Sequence, residues 1–219
     1  MANAKTLILA GGQSSRMGTP KHLLPLPSTM QPLYQHLIRV VHAAAPETEV
    51  IYLSIADSSK LDDTLRSGTY TLSTNAGPTN IKLVKIPDRS PRDIGPAAGL
   101  LAAHRYDPDA NWLVVACDFP LLEPAALQQL KMAFEEPVTC FTNKQGFCEP
   151  FLAIWSPHAL QSLSESVDTG RTGPSYTVKH LGGKVILPKE DEWLLNTNTP
   201  EEWNAARTLI KPVQSEEGI

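Results

Sequence analysis

At 219 residues, 42% of them hydrophobic and 19% charged, the chain has room for one domain with a sizeable core. A formal net charge of −4 and a pI near 5.9 exclude a general nucleic-acid surface, so an anionic ligand has to be met by locally placed cations. No apolar stretch approaches the roughly eighteen residues of a membrane span, and the apolar run at 7–10 is too short for a secretory leader.

Along the chain, short apolar runs alternate with helical stretches, the pattern of an α/β domain on a mainly parallel sheet. The first strand, 6–9, runs into a Gly-rich loop. After Pro25, Pro27 and Pro32, the residues Leu33, Leu37, Val40 and Val41 fall on one helical stripe that Pro46 closes. A second strand is expected over 49–54 and a short polar helix over 59–66. Residues 67–80 turn to Ser, Thr, Gly, Asn and Pro and read as a surface loop. A strand over 81–86 and a helix over 96–106 follow, and 112–117 is the most apolar strand, hence a central one. A helix over 123–134 precedes two strands, 138–142 and 151–155, that face each other across a turn at 144–146. Helices at 157–164, 174–181 and 200–209 each open with a proline. Between the last two lie apolar runs at 184–187 and 193–195. One domain over 1–211 is expected, with 212–219 as a disordered tail.

Cys117, Cys140 and Cys148 lack C-x-x-C spacing and read as buried strand thiols in a reducing, cytoplasmic compartment. His22, His36, His42, His104, His158 and His180 show no metal-ligand spacing and read as surface or helix-face residues.

The chemistry begins in the string Leu9-Ala10-Gly11-Gly12-Gln13-Ser14-Ser15-Arg16-Met17-Gly18-Thr19-Pro20-Lys21. Its glycines permit positive φ and close backbone approach, and successive N–H groups in such a turn form an anion nest. Arg16 and Lys21 add a forked and a point cation. A loop following the first strand lies at the carboxyl edge of the sheet, where open α/β folds bind ligands. Neither a Walker A sequence nor a dinucleotide fingerprint is present. A phosphate site over Leu9, Ala10, Gly11, Gly12, Ser14, Ser15, Gly18 and Lys21 is therefore expected.

The string resembles the N-terminal signature of the MobA-like nucleotidyltransferases, whose named activity is molybdenum cofactor guanylyltransferase. That family is similar to sugar-phosphate nucleotidyltransferases and to the cytidylyltransferases of isoprenoid synthesis. Three further segments continue the resemblance across nearly the whole chain. Asp88 with Gly95-Pro96-Ala97-Ala98-Gly99 is similar to D…GPLAG, with Ala97 replacing leucine. Residues 115–120, ending in Cys117-Asp118-Phe119-Pro120, are similar to an apolar strand closed by C-D-x-P. Residues 195–202 resemble the late N-x-N-T-P-E-E segment. The resemblance implies a three-layer, Rossmann-like fold of the nucleotide-diphospho-sugar-transferase (GT-A-like) type, with helices on both faces of a mainly parallel sheet.

Asp118 ends an apolar strand at the loop's edge of the sheet, where a hard Mg²⁺ ion takes carboxylate and phosphate oxygens. The plainer reading is an aspartate capping the turn before Pro120. By resemblance, Asn198 is a second metal ligand with Asn196 nearby on the acceptor side, although both also suit local turn and N-cap bonding ahead of Pro200. The resemblance also has Asp88 contacting the nucleotide, Gly95 and Gly99 letting a helix start lie close to the base, and Ser54 standing where the family can carry an asparagine. Glu149 opens a strand on the implied acceptor side, and Arg171, with Thr172, is assigned to the acceptor phosphate.

The implied reaction is attack by the phosphate of molybdopterin, or of another phosphorylated small molecule, on the α-phosphorus of GTP or another NTP, releasing pyrophosphate. Such a nucleophile is already anionic, so Arg16, Lys21 and Asp118 are expected to act by alignment and charge neutralisation, with Mg²⁺ as cofactor. CTP:molybdopterin and sugar- or polyol-phosphate transfer are alternatives. So is a non-catalytic nucleotide-binding regulator, which the retained charged residues disfavour. A monomer or small homo-oligomer without nucleic-acid or membrane partners is expected.

Overall fold

The computed structural model describes residues 4–11, 18–27, 29–55, 61–74, 77–88, 94–95 and 97–210. The elements run β1 (Ala4–Leu9), α1 (Leu33–Ala44), β2 (Val50–Ile55), α2 (Asp63–Ser67), β3 (Thr69–Thr74), β4 (Gly77–Pro87), α3 (Ala97–Tyr106) and β5 (Asn111–Ala116). They continue as α4 (Pro124–Ala133), β6 (Val138–Thr142), β7 (Cys148–Trp155), α5 (Pro157–Asp168), α6 (Pro174–His180), β8 (Lys184–Ile186) and α7 (Pro200–Ala206). All eight strands form one mixed sheet in the order β3-β4-β2-β1-β5-β7-β6-β8. β4, β2, β1 and β5 are mutually parallel, whereas β3 and β7 pair antiparallel with their neighbours. α1 packs on α4, and α3 on α5, in helical layers on the two faces of the sheet.

Local chemistry explains most boundaries. Leu33, Leu37, Val40 and Val41 are buried along one side of α1. The helix stops at Ala44 because Ala45 precedes Pro46, which keeps it out of the helical region, at φ −153° and ψ 79°. β5 is apolar from Trp112 to Ala116 and buried throughout, as expected of a strand at the middle of the sheet. Its thiol neighbour Cys117 is buried with Cys140 and Cys148, and burial pushes the Cys140 thiol up to about 12.

Three readings are changed or extended. The segment 67–80 is not a loop: it holds β3 and the start of β4, paired antiparallel from Thr69↔Lys82 to Thr74↔Gly77. Tyr70 and Leu72 point inward between Thr69, Thr71 and Ser73, a period-two pattern that the polar composition hides. Next, the apolar run at 193–195 falls in and just after a 3-10 turn, Asp191–Leu194, that inserts Trp193 into the core near Phe141. Finally, His22 is buried rather than at the surface, and His36 lies on a buried face of α1. The tail 212–219 and Pro96, expected to open the helix observed as α3, lie outside the described residues.

Candidate active site

The register of the parallel strands places the site. Leu9 pairs with Ser54 on one side and Ala116 on the other, and Ser54 pairs with Ile86, so one row crosses four strands. Asp88 and Asp118 each stand two residues beyond that row, at its opposite ends. Three strand spacings of about 4.8 Å separate their strands by about 14 Å, and the chain leaves β1 between them as Ala10 and Gly11. The ladder continues past the strand ends: Ala10 N–H donates to the Ser54 carbonyl at 3.0 Å and Cys117 N–H to the Leu9 carbonyl at 3.2 Å.

At the β5 end, Lys21 projects from a 3-10 turn, Lys21–Leu23, that follows Pro20. Its ammonium donates to Asp118 Oδ1 at 2.8 Å and to Asn198 Oδ1 at 2.9 Å. Asn198 reaches this point because its segment is docked: Thr197 N–H donates to the Asp118 carbonyl at 3.0 Å. Glu202 then accepts the N–H groups of Asn198 at 2.6 Å and Thr199 at 3.0 Å, while Thr199 Oγ1 accepts Glu202 N–H at 3.2 Å. That reciprocal capping box opens α7. The segment is thus held by turn and cap bonding, with Thr199 rather than either asparagine as N-cap, while Asn198 Oδ1 accepts from Lys21.

The donor set fits a hard cation. One carboxylate and one amide oxygen converge on a point where the Lys21 ammonium already holds positive charge. Among the described residues no group of three or more His, Cys, Asp or Glu forms a dedicated metal cage. A magnesium ion held by one carboxylate and by substrate phosphates requires none.

Glu149 joins the same end. Val115 pairs antiparallel with Leu152, the last pair of that ladder, and the Asp118 charge acts on Glu149 at the start of β7. Burial, and then the Asp118 charge, push the Glu149 carboxyl above its usual range. At the β4 end, Asp88 is half-buried and accepts the Ser54 hydroxyl at 3.1 Å through Oδ2, while its Oδ1 is buried without a hydrogen-bond partner. Burial raises the Asp88 carboxyl, with the Ser54 bond opposing that shift. Ser54 itself is fully buried, which corrects the expectation of a direct nucleotide contact. Gly99 packs so closely that a Cβ there would lie 2.7 Å from Ser54 Oγ.

The remaining expected residues divide. Gly18 has φ +66°, the left-handed conformation that a loop glycine supplies. Gly95, also at positive φ, is exposed before α3. Gly12, Ser14, Ser15 and Arg16 lie outside the described residues. Asn196 is exposed two positions before Asn198. Arg171 is not directed at the Lys21 cluster: its guanidinium donates to Tyr176 Oη at 3.0 Å and lies over that ring. Glu202 and Thr197 were missed as site supports, although the T-x-x-E spacing at 199–202 signals the former.

The model of the MobA-like NTP transferase domain matches residues 6–182. A probable molybdenum cofactor guanylyltransferase of Synechococcus elongatus is 27% identical over 93% of the chain and 97% of its own length. A molybdenum cofactor biosynthesis bifunctional protein of Synechocystis is also 27% identical, over 90% of the chain, and the chain spans only 52% of that relative. In fold, the chain is similar to molybdopterin-guanine dinucleotide biosynthesis protein A of Archaeoglobus fulgidus, with a TM-score of 0.66, 19% identity, and coverage of 94% and 97% of the two chains. The segment bearing Asn198 lies beyond the matched 6–182, and its contact with Lys21 is an observation of the structure. With its sheet order and its match over most of its length, the chain belongs to the MobA-like NTP transferase family and is a nucleotidyltransferase.

Proposed function

We propose that the protein transfers GMP from GTP to the phosphate of molybdopterin, releasing pyrophosphate, in the cytoplasm and with Mg²⁺. The observation that carries this reading is the pair Asp88 and Asp118, two residues past one register row on either side of the β1 loop. That arrangement suits an extended nucleotide lying across the sheet edge, base at Asp88 and phosphates at Asp118. A carboxylate at the base end favours guanine, which presents adjacent N1–H and N2–H donors.

In this reading, Arg16 and Lys21 hold the β/γ- and α-phosphates, and the backbone of 9–12 lines the phosphate path. Lys21 and the loop N–H groups neutralise charge as the leaving group forms. Asp118 and Asn198 would hold Mg²⁺, which when bound supplies Lewis-acid stabilisation and a template for the phosphates. The acceptor enters beside Glu149 and Asn196, and Arg171 meets its phosphate after releasing Tyr176. The acceptor phosphate is its own nucleophile, so no side chain has to remove a proton from it. Relatives named as molybdenum cofactor guanylyltransferases support the acceptor assignment.

Pyrophosphate release tests this, with Mg²⁺, each of GTP, CTP, ATP and UTP, and molybdopterin set against a sugar-phosphate panel. GTP with molybdopterin is the expected productive pair. Release with CTP alone or with sugar phosphates alone would replace the substrate assignment. No release with molybdopterin under any nucleotide would discard it.

A further inference from the structure

We propose that Ser54 is a positioning residue for nucleobase selection: its hydroxyl, packed under Gly99, fixes the Asp88 carboxylate so that one oxygen is presented to the base. The proposal rests on the reading of Asp88 as the base acceptor given above.

Ser54 cannot itself reach a ligand. It is fully buried at the end of β2, and a Cβ on Gly99 would sit 2.7 Å from its Oγ and 2.6 Å from Leu9 Cδ2. α3 therefore seals the hydroxyl from outside, and only a glycine permits that approach. The Ser54 O–H donates to Asp88 Oδ2 at 3.1 Å. A carboxylate turns easily about its last side-chain bond, whose torsion is broad. A donor on one oxygen sets the plane and with it the direction of the other. That other oxygen, Oδ1, is buried without a partner. Buried acceptors are normally satisfied, so an orphan one at a sheet edge calls for a ligand donor.

Ser54 also favours the ionised form of Asp88, opposing the burial that raises it. The distinction matters for selection. An ionised, oriented carboxylate accepts from the paired N–H groups of guanine and repels the ring-nitrogen acceptors of adenine and cytosine. A rotated or protonated one does neither. Gly99 acts on the same unit from behind, by holding Ser54 in place.

The test compares Ser54→Ala, Ser54→Thr, Gly99→Ala and Asp88→Asn for binding of GTP, ATP and CTP, for steady-state constants, and for thermal unfolding. Ser54→Ala is expected to raise Kd and KM for GTP about tenfold and to shrink the GTP-over-ATP ratio by a similar factor. The loss should appear in KM rather than kcat. Ser54→Thr, which keeps the hydroxyl, should recover most of the ratio, and Gly99→Ala should lose it. If Ser54→Ala does not fold, Ser54→Cys takes its place: its weaker donor should reduce the ratio, and a wild-type ratio overturns the proposal. A folded Ser54→Ala protein with lowered thermal stability but unchanged base preference also overturns it, leaving a purely structural serine. An unchanged base preference in Asp88→Asn strikes instead at the base-acceptor reading, and the positioning role falls with it.

Discussion

Lys21 and Asp118 are the residues whose positions say most about the chemistry, because each touches the other and both stand where phosphate and metal would meet. Lys21→Ala is expected to bind nucleotide weakly and to lose about 3 kcal/mol of barrier lowering, about a hundredfold in turnover. Near-wild-type steady-state kinetics would remove Lys21 from the phosphate site. Asp118→Asn is expected to lose Mg²⁺-dependent transfer while unfolding at the wild-type temperature, because it is the Asp118 backbone carbonyl, not its side chain, that docks Thr197. Unfolding of that variant would instead make Asp118 a turn cap. Both residues were legible in the sequence, one as a cation near a Gly-rich loop and one as an acid closing an apolar strand. The part played by Ser54 was not. It depends on a contact between neighbouring strands and on the space left by Gly99, which no local pattern records.

Among the elements, α7 has a role beyond packing. Its capping box ties Glu202 to the backbone of Asn198, and so holds the asparagine oxygen against Lys21. Glu202→Ala is expected to cost about 1 kcal/mol of stability, as loss of a capping contact does. It should also raise the Mg²⁺ concentration needed for half-maximal rate several-fold. Thermal unfolding together with a Mg²⁺ titration checks both, and an unaltered Mg²⁺ requirement would separate α7 from the site. The T-x-x-E spacing made this cap readable, whereas β3 escaped notice. In β3 only Tyr70 and Leu72 face inward, and Thr69 and Thr71 beside them carry the polarity of a loop although they are β-branched residues on a half-exposed edge strand.

For the whole molecule, the alternation of strands and helices pointed to an α/β sheet, but not to its order or register. Those depend on which strands meet across long crossovers, and they are what set Asp88, the β1 loop and Asp118 along one edge. The buried core carries its own pH signature. Burial holds the His36 imidazole down to about 4, with Arg39 adding to the effect, against about 6.5 in the unfolded chain. Between those values the unfolded state binds the proton and the folded state does not. Stability therefore rises with pH across the window and is lost as pH falls from 6.5 towards 4, by about 3 kcal/mol. Denaturant unfolding at several pH values should show His36→Gln with a slope flatter by about one proton, and an identical slope in both proteins would contradict it. The most direct test of the central claim follows the phosphorus itself, using GTP radiolabelled at the α-phosphate, Mg²⁺ and molybdopterin. Label transferred to a pterin dinucleotide, with a γ-phosphate label recovered only in pyrophosphate, is the predicted result. An α-label that stays in GTP or appears only as free GMP would contradict nucleotidyl transfer to this acceptor.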